Sequence, residues 1–466
     1  MEKNLTNNSI IEIVRAYTGP CLFNEDGFGL DYKDLTKNIE SIGRQLSSIE
    51  MKNNKICALV LPNGIDMAIS FLALTNYVTV SPLNPNYTKD EFLFFLEDLD
   101  CEFIITDNNA SNALIEAAKQ LEIKLFYIDN VTPKTELLIK QVPLSSICSV
   151  DENKGDDFCL ILHTSGTTSR PKQVQLSCTN IISSAFNISS VLKLEQSDKG
   201  LNIMPLFHIH GLIASLLSSI ITGASLVCTN GFNALTFYGN IKNFKPTWIT
   251  AVPTMYQAIL SRASRNKEII EDADLRLLRS SSAAMPIATI EALESVFQCP
   301  VIEAYGMTEA SHQMASNFLD SIRKAGSVGK PAGPEIAIYK DDKLIENSAA
   351  MGKKIESYKD MLLSHPTVKD MRGWGLMWVL EMVENKDSGE YFSIEKGAEG
   401  TFHSIAMQNG LVFYSTMYGR RREPLFKRGL PLMISPPLCI NESQIEEMME
   451  KVDHSISLWE AEMGVA

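Results

Sequence analysis

Residues 163–177 read HTSGTTSRPKQVQLS, a grouping with the chemistry of a polyphosphate site. Thr164, Ser165, Gly166, Thr167, Thr168 and Ser169 offer backbone N–H groups and hydroxyls with little bulk around them. Such a loop can wrap phosphate oxygens closely. Lys172 adds a point charge. The pattern is not a Walker loop, which needs a second Gly directly before Lys-Ser/Thr and a helix directly after. Here Pro171 precedes the lysine, and Val174-Gln175-Leu176 reads as a strand. A polar hairpin loop is the common fate of a Ser/Thr/Gly cluster. Six small residues closed by Pro-Lys between two strands is much rarer, and favours phosphate binding.

Three further segments carry chemistry. Pro205-Leu206-Phe207-His208-Ile209-His210-Gly211 places two histidines at a strand-to-helix turn. Ser281-Ser282-Ala283-Ala284-Met285-Pro286 is a small-residue turn, wide enough for a flat ring to lie on the backbone. Ala304-Tyr305-Gly306-Met307-Thr308-Glu309 follows a short strand and ends in a carboxylate suited to Mg²⁺, a hard cation that prefers oxygen. Singly, each has a bland reading: a histidine beside apolar residues is usually structural, and Glu309 reads equally as a solvated acid at a helix start.

Up to about Lys340 the chain alternates strands and helices, the signature of an α/β fold with parallel sheets. Strands are predicted at 56–61, 77–81, 103–106 and 124–128, with a helix at 64–77. A second cycle follows: strand 201–204, helix 211–222, strand 225–228, helix 233–243, strand 247–251, helix 253–263. Two α/β layers in series are expected. After Lys343 the texture changes to a small α+β unit. Leu344 to Ser364 reads as one amphipathic helix stopping before Pro366. Strands are predicted at Trp374–Val383, Leu411–Thr416 and Leu432–Ser435, and a turn at Asp387-Ser388-Gly389. A helix ends near Asn409-Gly410, and Asn441 caps the last helix with Gln444 three residues on.

Length and composition bound the partners. A chain of 466 residues is too long for one core. Lys+Arg of 42 against Asp+Glu of 56 gives −14, which argues against nucleic acid, since counterion release needs a basic face. The nine cysteines are scattered and read as reduced, mostly buried thiols of a cytoplasmic protein. No apolar signal core follows Met1, and the longest apolar stretch, Leu212 to Cys228, is broken by serines, so no membrane partner is expected.

Taken together and in this order, the four segments resemble the AMP-forming adenylate enzymes, the acyl-CoA synthetase superfamily, over about residues 10–340. The resemblance implies an adenylation domain at 1–342, with two stacked α/β subdomains and a truncated barrel. It implies ATP, Mg²⁺ and CoA as co-substrate. Thr164, Ser165, Gly166, Thr167, Thr168 and Lys172 would hold the phosphates. Ser282, Ala283 and Ala284 would line the adenine with Tyr305 beside it. Thr308 would touch the α-phosphate, Glu309 bind the metal, and His208 sit at the substrate carboxylate. Glu303-Ala304-Tyr305, Glu309-Ala310-Ser311-His312-Gln313-Met314 and His208-x-His210-Gly211 look most like the oxalate–CoA ligase branch. A small doubly anionic acid follows, oxalate- or sulfoacetate-like, in a substrate site with Gly306 and Met307. His210 and His312 are candidates for its second anion, with structural packing an equal reading of each.

The segment 343–466 resembles something else, the C-terminal part of class III pyridoxal-phosphate aminotransferases. Met371-Arg372-Gly373-Trp374-Gly375-Leu376-Met377 and Ile434-Ser435-Pro436-Pro437-Leu438 carry the likeness, and Gly429-Leu430-Pro431 and Trp459-Glu460 bring it nearest the taurine–pyruvate members. Many relatives hold a carboxylate-binding arginine where this chain has Met433. Arg372 reads alternatively as a turn salt bridge, and Arg420-Arg421-Arg422 as a solvated loop. No cofactor-binding large domain precedes the tail and no lysine stands in a Schiff-base context, which argues against pyridoxal phosphate. Nor does the barrel, ribose-binding Asp or mobile lysine domain of the adenylate enzymes follow Lys340. The chain reads as a fusion near Asp341-Asp342-Lys343, such as an in-frame deletion between neighbouring genes or an assembly error would give. Weak adenylation, a non-catalytic chimera and an aminotransferase remnant are its three functional readings. The unpartnered faces imply oligomerisation through the tail.

Overall fold

The computed structural model describes residues 9–49, 55–129, 137–145, 150–164, 171–336, 343–393, 396–411, 414–415 and 430–465. The chain divides into two compact units, 1–336 and 337–466. Asp341 and Asp342, where the join is expected, lie outside the described residues.

The first unit contains two sheets. Strands β3 (Ile56–Val60), β4 (Thr79–Pro82), β5 (Phe103–Thr106), β6 (Lys124–Asp129), β7 (Leu138–Ile139), β8 (Phe158–Thr164) and β9 (Lys172–Ser177) form one, in the order β7-β6-β5-β3-β4-β8-β9. Its inner strands are parallel, and β7 and β9 close the edges antiparallel. Parallel neighbours need crossovers. The sequence supplies them as helices with clear starts, such as Lys89–Leu99, where Thr88 and Glu91 form a capping box. The inner strands β3, β4 and β5 are almost wholly buried because helices cover both faces.

The second sheet contains β1 (Pro20–Phe23), β2 (Gly29–Asp31), β10 (Lys199–Asn202), β11 (Ser225–Cys228), β12 (Trp248–Ala251), β13 (Leu277–Ser280), β14 (Val301–Met307), β15 (His312–Ser316) and β16 (Lys330–Pro331). Their order is β16-β15-β14-β13-β12-β10-β11-β1-β2, with a parallel centre and antiparallel margins. Two strand-to-helix regions differ from expectation. Residues 233–236 are a turn, because Asn233 Oδ1 accepts from Leu235 N at 2.9 Å, and the helix starts at Phe237. The helix expected at 211–222 begins as a π-helix, His210–Leu217, and only then becomes a short α-turn, Ser218–Ile220.

The second unit is a four-stranded antiparallel sheet, β17-β18-β20-β19, from Val368–Trp374, Met377–Met382, Leu430–Ile434 and Tyr414–Ser415. The strand expected at 374–383 is present as Met377–Met382, and it forms a hairpin with an unexpected strand, Val368–Trp374. Gly375 turns the chain at φ +53°, and Trp374 pairs with Met377. The single helix expected at 344–364 breaks into Leu344–Glu356 and Lys359–Leu363, with Ser357 Oγ donating to the Lys354 carbonyl at the break. The cap at Asn441 forms with Gln444 as read. The helix Glu442–Met463 then buries Ile445, Met449, Val452, Ile456 and Trp459. Gly410 closes the helix Ala398–Gln408 at φ +77°. Arg372 is held by Asp370 at 2.6 Å and Glu381 at 2.8 Å, and is a salt bridge. Arg420-Arg421-Arg422 lie outside the described residues.

Among the described residues, no helix is long and apolar enough to cross a membrane. Of the eight described cysteines, all free, every one but Cys439 is buried.

Candidate active site

Strand β8 and strand β9 pair antiparallel with Thr164 opposite Lys172, so the chain leaves and returns at one point. Ser165, Gly166, Thr167 and Thr168 lie outside the described residues, while Lys172 is exposed at the start of β9. A cavity of about 280 Å³ opens beside the hairpin, lined among others by His163, Thr164, Phe207, His208 and Thr308. Thr164 Oγ1 lies 3.4 Å from Glu309 Oε1, which joins two segments far apart in sequence. Glu309 is exposed, and among the described residues no three His, Cys, Asp or Glu side chains cluster as a metal cage. One carboxylate and a hydroxyl fit Mg²⁺, which takes most of its ligands from water and substrate phosphates.

The other wall is built on the turn after β10. His210 N–H donates to His208 Nδ1 at 3.2 Å. A neutral His208 therefore carries its proton on Nε2, and the low-dielectric wall pulls its pKa below the usual histidine value. His210 is fully buried, with Nδ1 3.0 Å from Ser282 Oγ and Nε2 2.6 Å from Thr250 Oγ1. Both its ring nitrogens are engaged, so it reaches a ligand only through Ser282. His312 stacks on it at 5.0 Å between ring centroids. Burial, then the neighbouring charges, holds both rings well below the usual histidine pKa. Both are neutral at pH 7.

Ser281 Oγ donates to the Ala304 carbonyl at 3.1 Å, tying the small-residue turn to the strand that carries Tyr305. Ser282, Ala283 and Ala284 are exposed there, as are Tyr305 and Met307. Ser282 sits at φ +72° and His312 at φ +97°, conformations that non-glycine residues adopt rarely. Gly306 is dictated by β15: a Cβ at that position would lie 1.6 Å from the His312 carbonyl oxygen and 3.2 Å from its Nδ1.

Sequence reasoning missed Arg279, Thr250 and Gln313. Arg279 is fully buried on β13, donating from Nη1 to Thr250 Oγ1 and from Nη2 to Gln313 Oε1, both at 3.2 Å. Each Nη also lies 3.4 Å from His312 Nε2. Burial pushes its pKa down to about 10, which leaves it charged at pH 7. The signal was available: an arginine inside the apolar run Leu277-Leu278-Arg279-Ser280 of a central strand is an anomaly in its own right.

Two sheets with parallel centres, and a cavity where the β8–β9 hairpin meets the segments of His208 and Thr308, mark an α/β adenylate-forming fold. The chain belongs to the AMP-binding enzyme family, whose profile matches residues 15–350. Oxalate–CoA ligase of Arabidopsis thaliana is 41% identical over 323 residues, 67% of this chain and 63% of that protein. Sulfoacetate–CoA ligase of Cupriavidus necator is 27% identical, over 69% of this chain and 63% of that protein. The AMP complex of O-succinylbenzoate coenzyme A synthetase from Bacillus subtilis superposes with a TM-score of 0.61 at 26% identity. It covers 72% of this chain and 66% of that one. The chain thus spans about three fifths of the curated relatives it matches.

Proposed function

We propose that residues 1–336 activate a small dianionic carboxylic acid with ATP, in the manner of an acid–CoA ligase. The observation that carries this reading is the cavity where Thr164, His208 and Thr308 meet, with Glu309 against Thr164. The substrate carboxylate oxygen attacks the α-phosphorus, an O–P bond forms, and pyrophosphate leaves with the bonding pair of the broken P–O bond. Little covalent work falls to the protein; positioning and charge neutralisation dominate. The loop from Thr164 to Lys172 cradles the phosphates. Ser282, Ala283 and Ala284 form the adenine ledge beside Tyr305. Thr308 orients the α-phosphate, and the His208 Nε2–H donates to the attacking carboxylate. Mg²⁺ held at Glu309 would supply charge to the phosphates. The likeness to oxalate and sulfoacetate ligases supports a two-carbon acid with a second acidic group.

The tail reading is also ours. An antiparallel sheet closed by a capped terminal helix supports a class III aminotransferase-like segment. Trp374 is 90% exposed and Met377 is 61% exposed at the hairpin tip, which supports association through this unit. A transaminase activity has no such support.

Hydroxamate trapping and ATP–pyrophosphate exchange with a panel of small diacids test the ligase reading. Oxalate or sulfoacetate should give signal above a Lys172→Ala control. An equal signal from both proteins, or none from either, refutes it.

A further inference from the structure

Arg279 has no carboxylate partner among the described residues. Its hydrogen-bond neighbours among the described residues are all uncharged acceptors: Thr250 Oγ1, Gln313 Oε1 and His312 Nε2. Its Nε has no hydrogen-bond partner among the described residues. A guanidinium removed from water and left without a counter-charge is costly, and proteins retain such groups where a ligand completes them.

Arginine donates and never accepts, so it gives direction to the hydrogen bonds around it. Two arms leave it. In the first, Thr250 Oγ1 accepts from Arg279, and the other partner of that oxygen among the described residues is His210 Nε2. The Thr250 proton therefore goes to His210 Nε2. The neutral His210 then carries its proton on Nδ1 and donates it to Ser282 Oγ at 3.0 Å. The Ser282 hydroxyl proton is left to point outward, from an exposed residue. In the second arm, His312 Nε2 faces two Arg279 donors and must be the acceptor. The His312 proton sits on Nδ1, which faces Gly306 and has no partner among the described residues.

We propose that Arg279 is a positioning and specificity-determining residue, resting on the ligase reading above. Its buried charge fixes the proton direction along both arms, so that Ser282, whose backbone forms the adenine ledge, offers its side-chain Oγ–H to the acid together with His312 Nδ1–H. The second acidic group of the substrate supplies the counter-charge the protein omits. His210 is the relay, not the ligand. A monoanionic acid of the same shape leaves the guanidinium uncompensated and is discriminated against.

The test compares oxalate with oxamate, its near-isostere with one charge fewer. Calorimetry measures each binding to the full chain in the presence of a non-hydrolysable ATP analogue. Wild type should prefer oxalate by on the order of 100-fold, and Arg279→Met should reduce that ratio to within about threefold of unity. Arg279→Lys, which keeps the charge but loses the fork, should fall between. A second measurement needs no substitution: ¹⁵N spectra of the histidine side chains should find His312 protonated on Nδ1 and His210 on Nδ1. If wild type binds no small dianion, the ligase reading falls and this inference with it. If wild type binds oxalate and Arg279→Met keeps the same oxalate-to-oxamate ratio, this inference alone is overturned. Protonation of His312 on Nε2 in the wild-type protein overturns it equally.

Discussion

Replacing Gly306 by alanine puts one methyl group against the backbone of the neighbouring strand. The added Cβ would lie 1.6 Å from the His312 carbonyl oxygen. Carbon and oxygen approach in strands to about 3.3–3.6 Å, so β14 and β15 must part by roughly 1.7 Å. The obstacle is main chain, which no side-chain rotation relieves. Overpacking of this kind costs about 1–3 kcal/mol. The same movement carries His312 away from Arg279 and shifts Met307 and Thr308, and a 1 Å misplacement of a positioning group costs about 100-fold in rate. Gly239→Ala is the control. It lies in the helix Phe237–Phe244, and nothing stands within 4 Å of the added Cβ. Alanine there should stabilise by about 0.5–1 kcal/mol. Thermal unfolding and oxalate-dependent pyrophosphate exchange read both effects. Gly306→Ala with an unchanged unfolding midpoint, and exchange within about twofold of wild type, refutes the argument.

Glu309→Gln should reduce pyrophosphate exchange by about 10²–10³ and raise the Mg²⁺ requirement, with unfolding unchanged because the side chain is exposed; an unaltered Mg²⁺ titration counts against its role. Asp198 is buried and accepts from Arg276 Nε at 2.7 Å, Arg276 Nη2 at 2.6 Å and Thr247 Oγ1 at 2.6 Å. Asp198→Asn should cost about 3–5 kcal/mol in chemical denaturation, and a loss under 1 kcal/mol would contradict the pairing. Burial opposes its ionisation, but these hydrogen bonds outweigh it and depress the folded pKa below 3.8. Its contribution is full above that value and lost as pH falls through the folded one. His365 shows the opposite sign. Burial opposes its charge, yet Glu460 at 2.8 Å and Asp453 at 3.0 Å raise its pKa above 6.5. Stabilisation is complete below 6.5 and lost as pH rises through the folded pKa, so the unfolding midpoint of the second unit should fall over that interval in wild type and not in His365→Gln.

The phosphate hairpin was legible because strand–small residues–Pro-Lys–strand is a local pattern, and β8 and β9 stand where Phe158 to Leu176 read as strands. The parallel sheets were legible in apolar runs such as Ile56-Cys57-Ala58-Leu59-Val60. The hairpin at Gly375 was not: β17 reads Val-Lys-Asp-Met-Arg-Gly-Trp, whose polar face hides its period, and only Gly375 and Leu376 separate it from β18. The helix from Leu344 was overextended because its apolar spacing continues through Ser357, and the break is a local tightening in which Tyr358 N bonds the Ile355 carbonyl three residues back. His210 and His312 were found as residue types, but their neutrality depends on burial in the folded core and then on charges such as Arg279, which come near only through tertiary packing. Periodicity carries no information about which side chain on one strand touches which on the next.

The π-helix at His210–Leu217 has a consequence for how this family can vary. Such a segment holds one residue more than an α-helix of the same span, usually the mark of a single insertion. Losing any one residue between Gly211 and Leu217 would let the segment relax to α-geometry. Everything ahead of the deletion would then turn by about 100° about the helix axis. His210 would swing off Thr250 and Ser282 although no side chain in the cluster had changed. The aim of that histidine is therefore set by a count of residues, and a one-codon deletion is a sharper lesion here than most substitutions.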